Sequence, residues 1–358
     1  MMDLPVMPPV KPMLAKPAKK LPATDLAFEP KWDGYRCIVF RDGDEVVLGS
    51  RNEKPLNRYF PEMIAPLQAS LPDRCVLDGE LFVAIDGRLD FDALGQRIHP
   101  AESRVTMLAE KTPAEFVAFD LLALDDTSYV DRPFRDRRAA LESIADGFAP
   151  PIHLAPATRD HTLAMEWFER FEGAGLDGLI VKQLDDPYRF DVRSQLKLKH
   201  ARTADCVVAG YRMHKSGDGV GSLILGLYAD DGQLWHVGVA ASFTTKLRRQ
   251  LLDEVAPLEM DDVAGHPWAS WMDTEANANG SMPGAPNRWS GAGGRDHSWR
   301  PLRPDRVVEV GYTWATAGRF RGTTRLVRWR PDREPASCST VQLAEPEPVP
   351  ITEVLAAR

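Results

Sequence analysis

The chain has 358 residues, of which 44% are hydrophobic and 27% charged, with a net charge of −8. That length and balance suit two domains with cores of their own and exclude a disordered chain. The acidic total argues against a constitutive nucleic-acid coat, although the distribution of charge matters more than its sum.

Prolines interrupt the N-terminal "MMDLPVMPPVKPMLAKPAKK" where a secretion signal needs an unbroken apolar run, and no later segment approaches a membrane span. A cytoplasmic protein is therefore expected. "CIVFRDGDEVVLG" (37–49) and "CVLDGELFVAIDGRLDF" (75–91) read as hairpins, each turning on an Asp-Gly dipeptide that accepts the positive dihedrals of a tight turn. "EFVAFDLLAL" (115–124) and "DGLIVKQ" (177–183) are further strands. Helices fit "PFRDRRAALESIAD" (133–146) and "TLAMEWFERFEGAG" (162–175), the second stopped by its glycines. Strands joined by hairpins favour an antiparallel α+β domain over a Rossmann-like one.

After "KHARTADC" (199–206) the texture changes to short strands, with one helix at about Thr244 to Val255. Five strands and one helix match an OB-fold barrel, so the expected domains are 1–202 and 203–358. The stretch 277–294, rich in Gly, Pro and Asn, reads as a mobile insertion. Cys37, Cys75, Cys206 and Cys338 lie far apart with no CxxC pair, which suits buried free thiols. Two tracts are basic. Residues 319–333 carry Arg319, Arg321, Arg325, Arg328, Arg330 and Arg333 against Asp332, and "RSQLKLKHAR" (193–202) has no acid. Each is a candidate polyanion site or a solvated charged face.

Chemistry concentrates around "FEPKWDGYRCIVF" (28–40), where Lys31, Asp33, Gly34 and Arg36 form a K-x-D-G-x-R string. Alone, Lys31 reads as a snorkelling surface lysine. An ordered series follows: "SRN" at 50–52, "LDGEL" at 77–81, "FVAFDLL" at 116–122, "LDGLIVK" at 176–182, "LKLK" at 196–199 and "RWRPDRE" at 328–334. Taken together these strings resemble the covalent nucleotidyltransferases, specifically the ATP-dependent DNA ligases, over nearly the whole chain. The flavour is that of the compact bacterial group called ligase C.

The residue types make chemical sense without the resemblance. A lysine amine, with a reference pKa of about 10.4, must lose its proton before it attacks an α-phosphate, and nearby cations favour the neutral form. Lys197 and Lys199 alternate on one expected strand and would share a face beside it. Arg36 and Arg51 can fork onto phosphate or ribose oxygens.

The resemblance implies more. Lys31 would take AMP from ATP and pass it to a 5′-phosphate at a nick in duplex DNA, where a neighbouring 3′-hydroxyl displaces the AMP. Glu29 would accept from the adenine amino group, favouring ATP over GTP, and Phe119, otherwise a core phenylalanine, would stack on the base. Glu80 and Asp177 would serve the ribose and a divalent metal, Mg2+ or Mn2+, with Asp177 standing where the family usually has Glu. Arg330, Asp332 and Arg333 would orient the leaving pyrophosphate, Arg333 replacing the more usual lysine, and the second domain would close over the first and then swing away. A monomer acting in DNA repair is expected, nucleoid-associated when acting, with other DNA repair proteins as candidate partners, and no separate DNA-binding domain is expected before residue 28. The alternatives are an RNA ligase, a capping-type guanylyltransferase, or an OB-fold nucleic-acid-binding protein with a dead adenylation domain.

Overall fold

A computed structural model describes residues 2–18, 20–262, 264–269, 298–316, 318–344 and 346–357. The insertion expected at 277–294 lies outside the described residues. The chain divides into two units, Met1–Lys199 with Pro346–Arg358, and His200–Glu345.

Two sheets build the first unit. The strands Leu14–Pro17, Arg193–Leu198, Leu179–Gln183 and Leu26–Pro30 lie in that order in one. The other runs Ile152–Leu154, Glu115–Leu124, Arg74–Phe82, Tyr35–Asp42 and Glu45–Ser50, with the short Thr127–Ser128 beside Glu115–Leu124. Pairing is antiparallel except for Leu14–Pro17 and Ile152–Leu154, which run parallel to their neighbours. Phe28, Leu179 and Val181 of the smaller sheet share a core cluster with Phe82, Val117 and Phe119 of the larger. Strand alternation then directs Glu29, Ile180 and Lys182 the other way, into a cleft.

The first expected hairpin forms between Tyr35–Asp42 and Glu45–Ser50. The second is smaller than expected. Arg74–Phe82 belongs to the large sheet, and only Ala84–Ile85 and Arg88–Leu89 pair across Asp86-Gly87. The two expected helices form as Phe134–Ala145 and His161–Arg170, the latter capped by Asp160 accepting from the amides of Thr162 and Leu163, and Glu102–Lys111 is a further helix.

The second unit is an antiparallel five-stranded sheet ordered Leu234–Ala241, Val220–Tyr228, Arg202–Met213, Arg300–Tyr312, Arg325–Trp329. A bridge between Ala240 and Thr324 brings the two edges together, closing the barrel. Helix Thr245–Val255, capped by Thr244, adds Leu251 and Val255 to the barrel core. All four cysteines are free and buried.

The domain expectation needs correction at its end. Residues 346–357 return to the first unit: Val349 donates to Gly173 O at 3.2 Å, and Ile351 and Val354 are buried in the cluster with Trp167 and Phe171. A short apolar tail carries no periodic signal of where it docks, so composition assigned it to the domain preceding it. The boundary itself falls at 199/200 rather than 202/203.

Candidate active site

The cleft of the first unit is lined by Glu29, Lys31, Arg36, Arg51, Glu80, Phe119 and Lys197 among others, so seven of the expected site residues share one wall. Lys31 follows immediately after the strand Leu26–Pro30. Its amide donates to Gly178 O at 2.8 Å and its carbonyl accepts from Asp177 N at 3.2 Å. That reciprocal pair sets the Asp177 carboxylate 3.0 Å from Lys31 Nζ. Gly178 is required for it: φ is +123°, and a Cβ would stand 2.1 Å from Leu198 O. Gly34 is equally constrained, since a Cβ there would meet Leu81 O at 2.1 Å, and its amide donates to Glu80 Oε1 at 3.2 Å.

The charges around Lys31 have opposite effects on its neighbours. Burial pushes the Asp177 carboxyl up, but Lys31 and Lys199 outweigh it and hold the group below the usual carboxylate range. Burial, with Lys199 and Lys31 adding, lowers the Lys197 ammonium. Burial dominates at Glu80 and raises its carboxyl to about 7, against the pull of Arg36 and Lys31.

Three expectations are revised. Lys197 lies on the strand Arg193–Leu198, but Lys199 falls beyond its end and is ion-paired to Asp177 instead of standing beside Lys197 on a strand face. Arg36 is not a free fork: its Nε and Nη2 each bond Asp78 at 2.5 Å, and Nη2 also donates to Met13 O at 3.2 Å. The buried Asp78 lies diagonally across the strand pair from Arg36, within reach of a long side chain, and also accepts from Tyr188 Oη at 2.6 Å. The basic tract 193–202 turns Arg193, Gln195 and Lys197 into the cleft by period-2 alternation, so part of it serves this site. Arg51 stands exposed at the rim. Phe119 is 9% exposed, with the Arg36 guanidinium 4.7 Å from its ring centre.

Lys182 escaped the sequence reading, although it closes the quoted "LDGLIVK". It is buried, ion-paired to Glu29 Oε2 at 2.8 Å, and donates to Phe119 O at 2.9 Å. The signal was a cation at period 2 in an apolar strand, which needs a buried anion. Asp120 with Arg137, both fully buried and joined Nε to Oδ1 at 2.7 Å, lies behind it.

In the second unit Arg330 donates through Nη1 to both Asp205 oxygens at 2.9 Å and through Nε and Nη2 to Asp332. The hydrogen bond it donates to Asp332 leads the effects that raise the Arg330 guanidinium further. Arg333 Nε lies 3.6 Å from Asp205 Oδ2. Asp205, on strand Arg202–Met213, was not anticipated.

A divalent ion fits Glu80 better than Asp177. Among the described residues no three His, Cys, Asp or Glu side chains gather as a metal cage. Hard cations that act on nucleotides use one or two carboxylates and complete their shell with phosphate oxygens and water, a role for which Glu80 is placed in the cleft. Asp177 is engaged by two lysines that must first release it.

Comparison with known proteins decides the family. The family described as ATP dependent DNA ligase domain matches residues 12–200, and that described as ATP dependent DNA ligase C terminal region matches 216–333. The chain belongs to the ATP-dependent DNA ligases. It is 54% identical to DNA ligase C of Mycobacterium tuberculosis, over 99% of each chain. It is also 54% identical to DNA ligase C2 of Mycolicibacterium smegmatis, over 96% of this chain and 97% of that one. A solved structure from a study of Lig E DNA ligases shares the fold, with a TM-score of 0.55 and 17% identity over 89% of this chain and 99% of that one. The ligase is an enzyme that uses ATP as co-substrate and acts on nicked DNA. None of its described helices is long and apolar enough to cross a membrane.

Proposed function

We propose that this ligase seals nicks in duplex DNA through a covalent lysyl-AMP on Lys31. Lys31 Nζ attacks the α-phosphorus of ATP, a P–N bond forms, and the P–O bond to pyrophosphate breaks. The AMP then passes to a 5′-phosphate, and a 3′-hydroxyl displaces it to leave a phosphodiester. The observation that carries the reading is Lys31 itself, 19% exposed at its side chain, on the wall of a cleft that also gathers Glu29, Arg51, Glu80, Phe119 and Lys197.

Each residue then has a task. Asp177 is ion-paired to Lys31 and orients it, while Lys197 and Lys199 supply positive charge that holds the α-phosphate. Arg51 reaches phosphate or ribose from the rim. Arg36, fixed by Asp78, supports the Phe119 ring, whose own role is to stack on the base. Glu29 meets the adenine amino group, and Glu80 meets the ribose or holds Mg2+ or Mn2+. Such a cation, when bound, offsets charge on the phosphate in the transition state. Arg330, Asp332 and Arg333 orient the pyrophosphate. The protein works as a monomer in the cytoplasm, in DNA repair.

Lys31→Ala tests this. Incubated with labelled ATP and a divalent cation, the variant should take up no AMP and seal no nicked duplex, with its thermal unfolding unchanged. Retained labelling would remove Lys31 from the reaction. Joining compared across DNA and RNA strands separates the RNA-ligase alternative.

A further inference from the structure

We propose that Lys182 is the positioning residue that gives the nucleotide cleft its preference for adenine over guanine, by holding Glu29 as a hydrogen-bond acceptor. The inference rests on the reading of Glu29 as the group that meets the base.

The two side chains are 2% and 3% exposed, and Lys182 Nζ lies 2.8 Å from Glu29 Oε2. The ammonium is fixed on its other sides by Phe119 O at 2.9 Å and by the rings of Phe134 and Phe119, centred 4.4 and 5.0 Å away. Glu29 Oε1, in contrast, is buried and has no hydrogen-bond partner among the described residues. One oxygen of the carboxylate is thus anchored, and the other keeps an unused acceptor on a residue that lines the cleft.

Of the other charges nearby, none approaches Glu29 as closely as Lys182 does. Asp120, 4.0 Å from Lys182 Nζ, is held in two hydrogen bonds by Arg137. Arg138 Nη1 lies 3.9 Å from Glu29 Oε1 and is itself buried without a hydrogen-bond partner among the described residues, while its Nε donates to Glu142. These groups, from the strands Glu115–Leu124 and Leu179–Gln183 and the helix Phe134–Ala145, are the charges that face Glu29. Lys182 alone among them is ion-paired to it at 2.8 Å.

Base chemistry turns this arrangement into selectivity. Adenine presents a 6-amino donor where guanine presents an O6 acceptor. An ionised carboxylate accepts from the first and repels the second, whereas a protonated carboxyl carries an O–H that can donate to O6. Burial drives the Glu29 carboxyl upward, and Lys182 is the foremost group opposing that drift. Without the lysine, Glu29 gains the protonated form and the cleft loses its discrimination.

The test is covalent labelling of the full-length protein by α-phosphate-labelled ATP and GTP, from about pH 6 to about pH 9, a range spanning the titration of a buried carboxyl. The variants are Lys182→Met, Glu29→Gln and the two combined. Lys182→Met should reduce the ATP-to-GTP labelling ratio about tenfold near the acid end, the scale of one hydrogen bond to a charged group, with the loss shrinking as pH rises. Glu29→Gln, whose amide can donate or accept, should lose the preference at every pH. The combined variant carries no uncompensated buried anion and should match Glu29→Gln.

A wild-type ratio in Lys182→Met, with the preference lost in Glu29→Gln, would overturn the role of Lys182 and leave that of Glu29 standing. A wild-type ratio in Glu29→Gln would instead remove Glu29 from the base. If Lys182→Met does not fold, the combined variant still decides, because any change in ratio relative to Glu29→Gln would show Lys182 acting on the base without Glu29.

Discussion

Glu80 shows how the site sets function against stability. Its folded carboxyl is raised to about 7 by burial, above the value near 4.3 of an unfolded chain. Between those values the native state binds more protons than the unfolded one, so stability falls as pH rises. The contribution of Glu80 is fully present below the unfolded value and is lost as pH passes through 7. Glu80→Gln should therefore stabilise the nucleotide-free protein at about pH 8 by on the order of 2 kcal/mol, with no gain near pH 4. Thermal unfolding at the two pH values checks this, and an equal effect at both would mean that ionisation of Glu80 carries no cost. The same substitution should abolish ligation, as expected for a group kept in place for chemistry rather than for the fold.

At the scale of elements, the junction between Lys31 and the Asp177-Gly178 dipeptide holds the nucleophile in register. Gly178→Ala would force a Cβ against Leu198 O at a positive φ, which should destabilise the protein by about 1–3 kcal/mol and move Asp177 away from Lys31. Denaturant unfolding and AMP uptake should both report the damage, and a neutral result would free that glycine from the role. The C-terminal motif makes a separate prediction. Arg330→Ala or Arg333→Ala should depress self-adenylation far more than sealing of a pre-adenylated nick, because pyrophosphate leaves only in the first step. Equal losses would assign these arginines to DNA.

Much of this was legible in the strings. The K-x-D-G-x-R spacing and the ordered motifs pointed to residues that line one cleft from Glu29 to Lys197, and the change of texture after 199–206 pointed to the barrel, although the boundary was placed three residues late. What escaped was what depends on partners distant in sequence. Asp78 on Arg36, Lys182 on Glu29 and Asp205 on Arg330 are separated by 42, 153 and 125 residues, as the residue numbers give. No local period encodes such a pair; it follows only from sheet register. The docking of Ile351 and Val354 on the first unit was hidden for the same reason.

At the scale of the whole molecule, an acidic protein must bind DNA through local positive charge. Arg319, Arg321, Arg325 and Arg328 are exposed on the second unit, with Arg319 Nη2 3.3 Å from His236 Nδ1 and Arg328 paired to Glu309 at 2.7 Å. Reversing Arg319 and Arg321 to Glu should weaken binding to a nicked duplex and flatten its salt dependence, since each phosphate contact releases counterions. The helix Phe134–Ala145 is a poor control because Arg137 is buried on Asp120. Arg159 and Arg170, exposed on the first unit, are better, and their reversal should change affinity little. Equal losses in the two double variants would reduce the effect to net charge. The central claim, however, is a covalent bond at one lysine. It is tested most directly by mass spectrometry of the intact protein and its peptides after incubation with ATP and a divalent cation. One adenylyl group should be found on the peptide containing Lys31 and discharged on adding a nicked duplex. An adenylyl group on any other residue, or none on a preparation that nonetheless seals nicks, would contradict it.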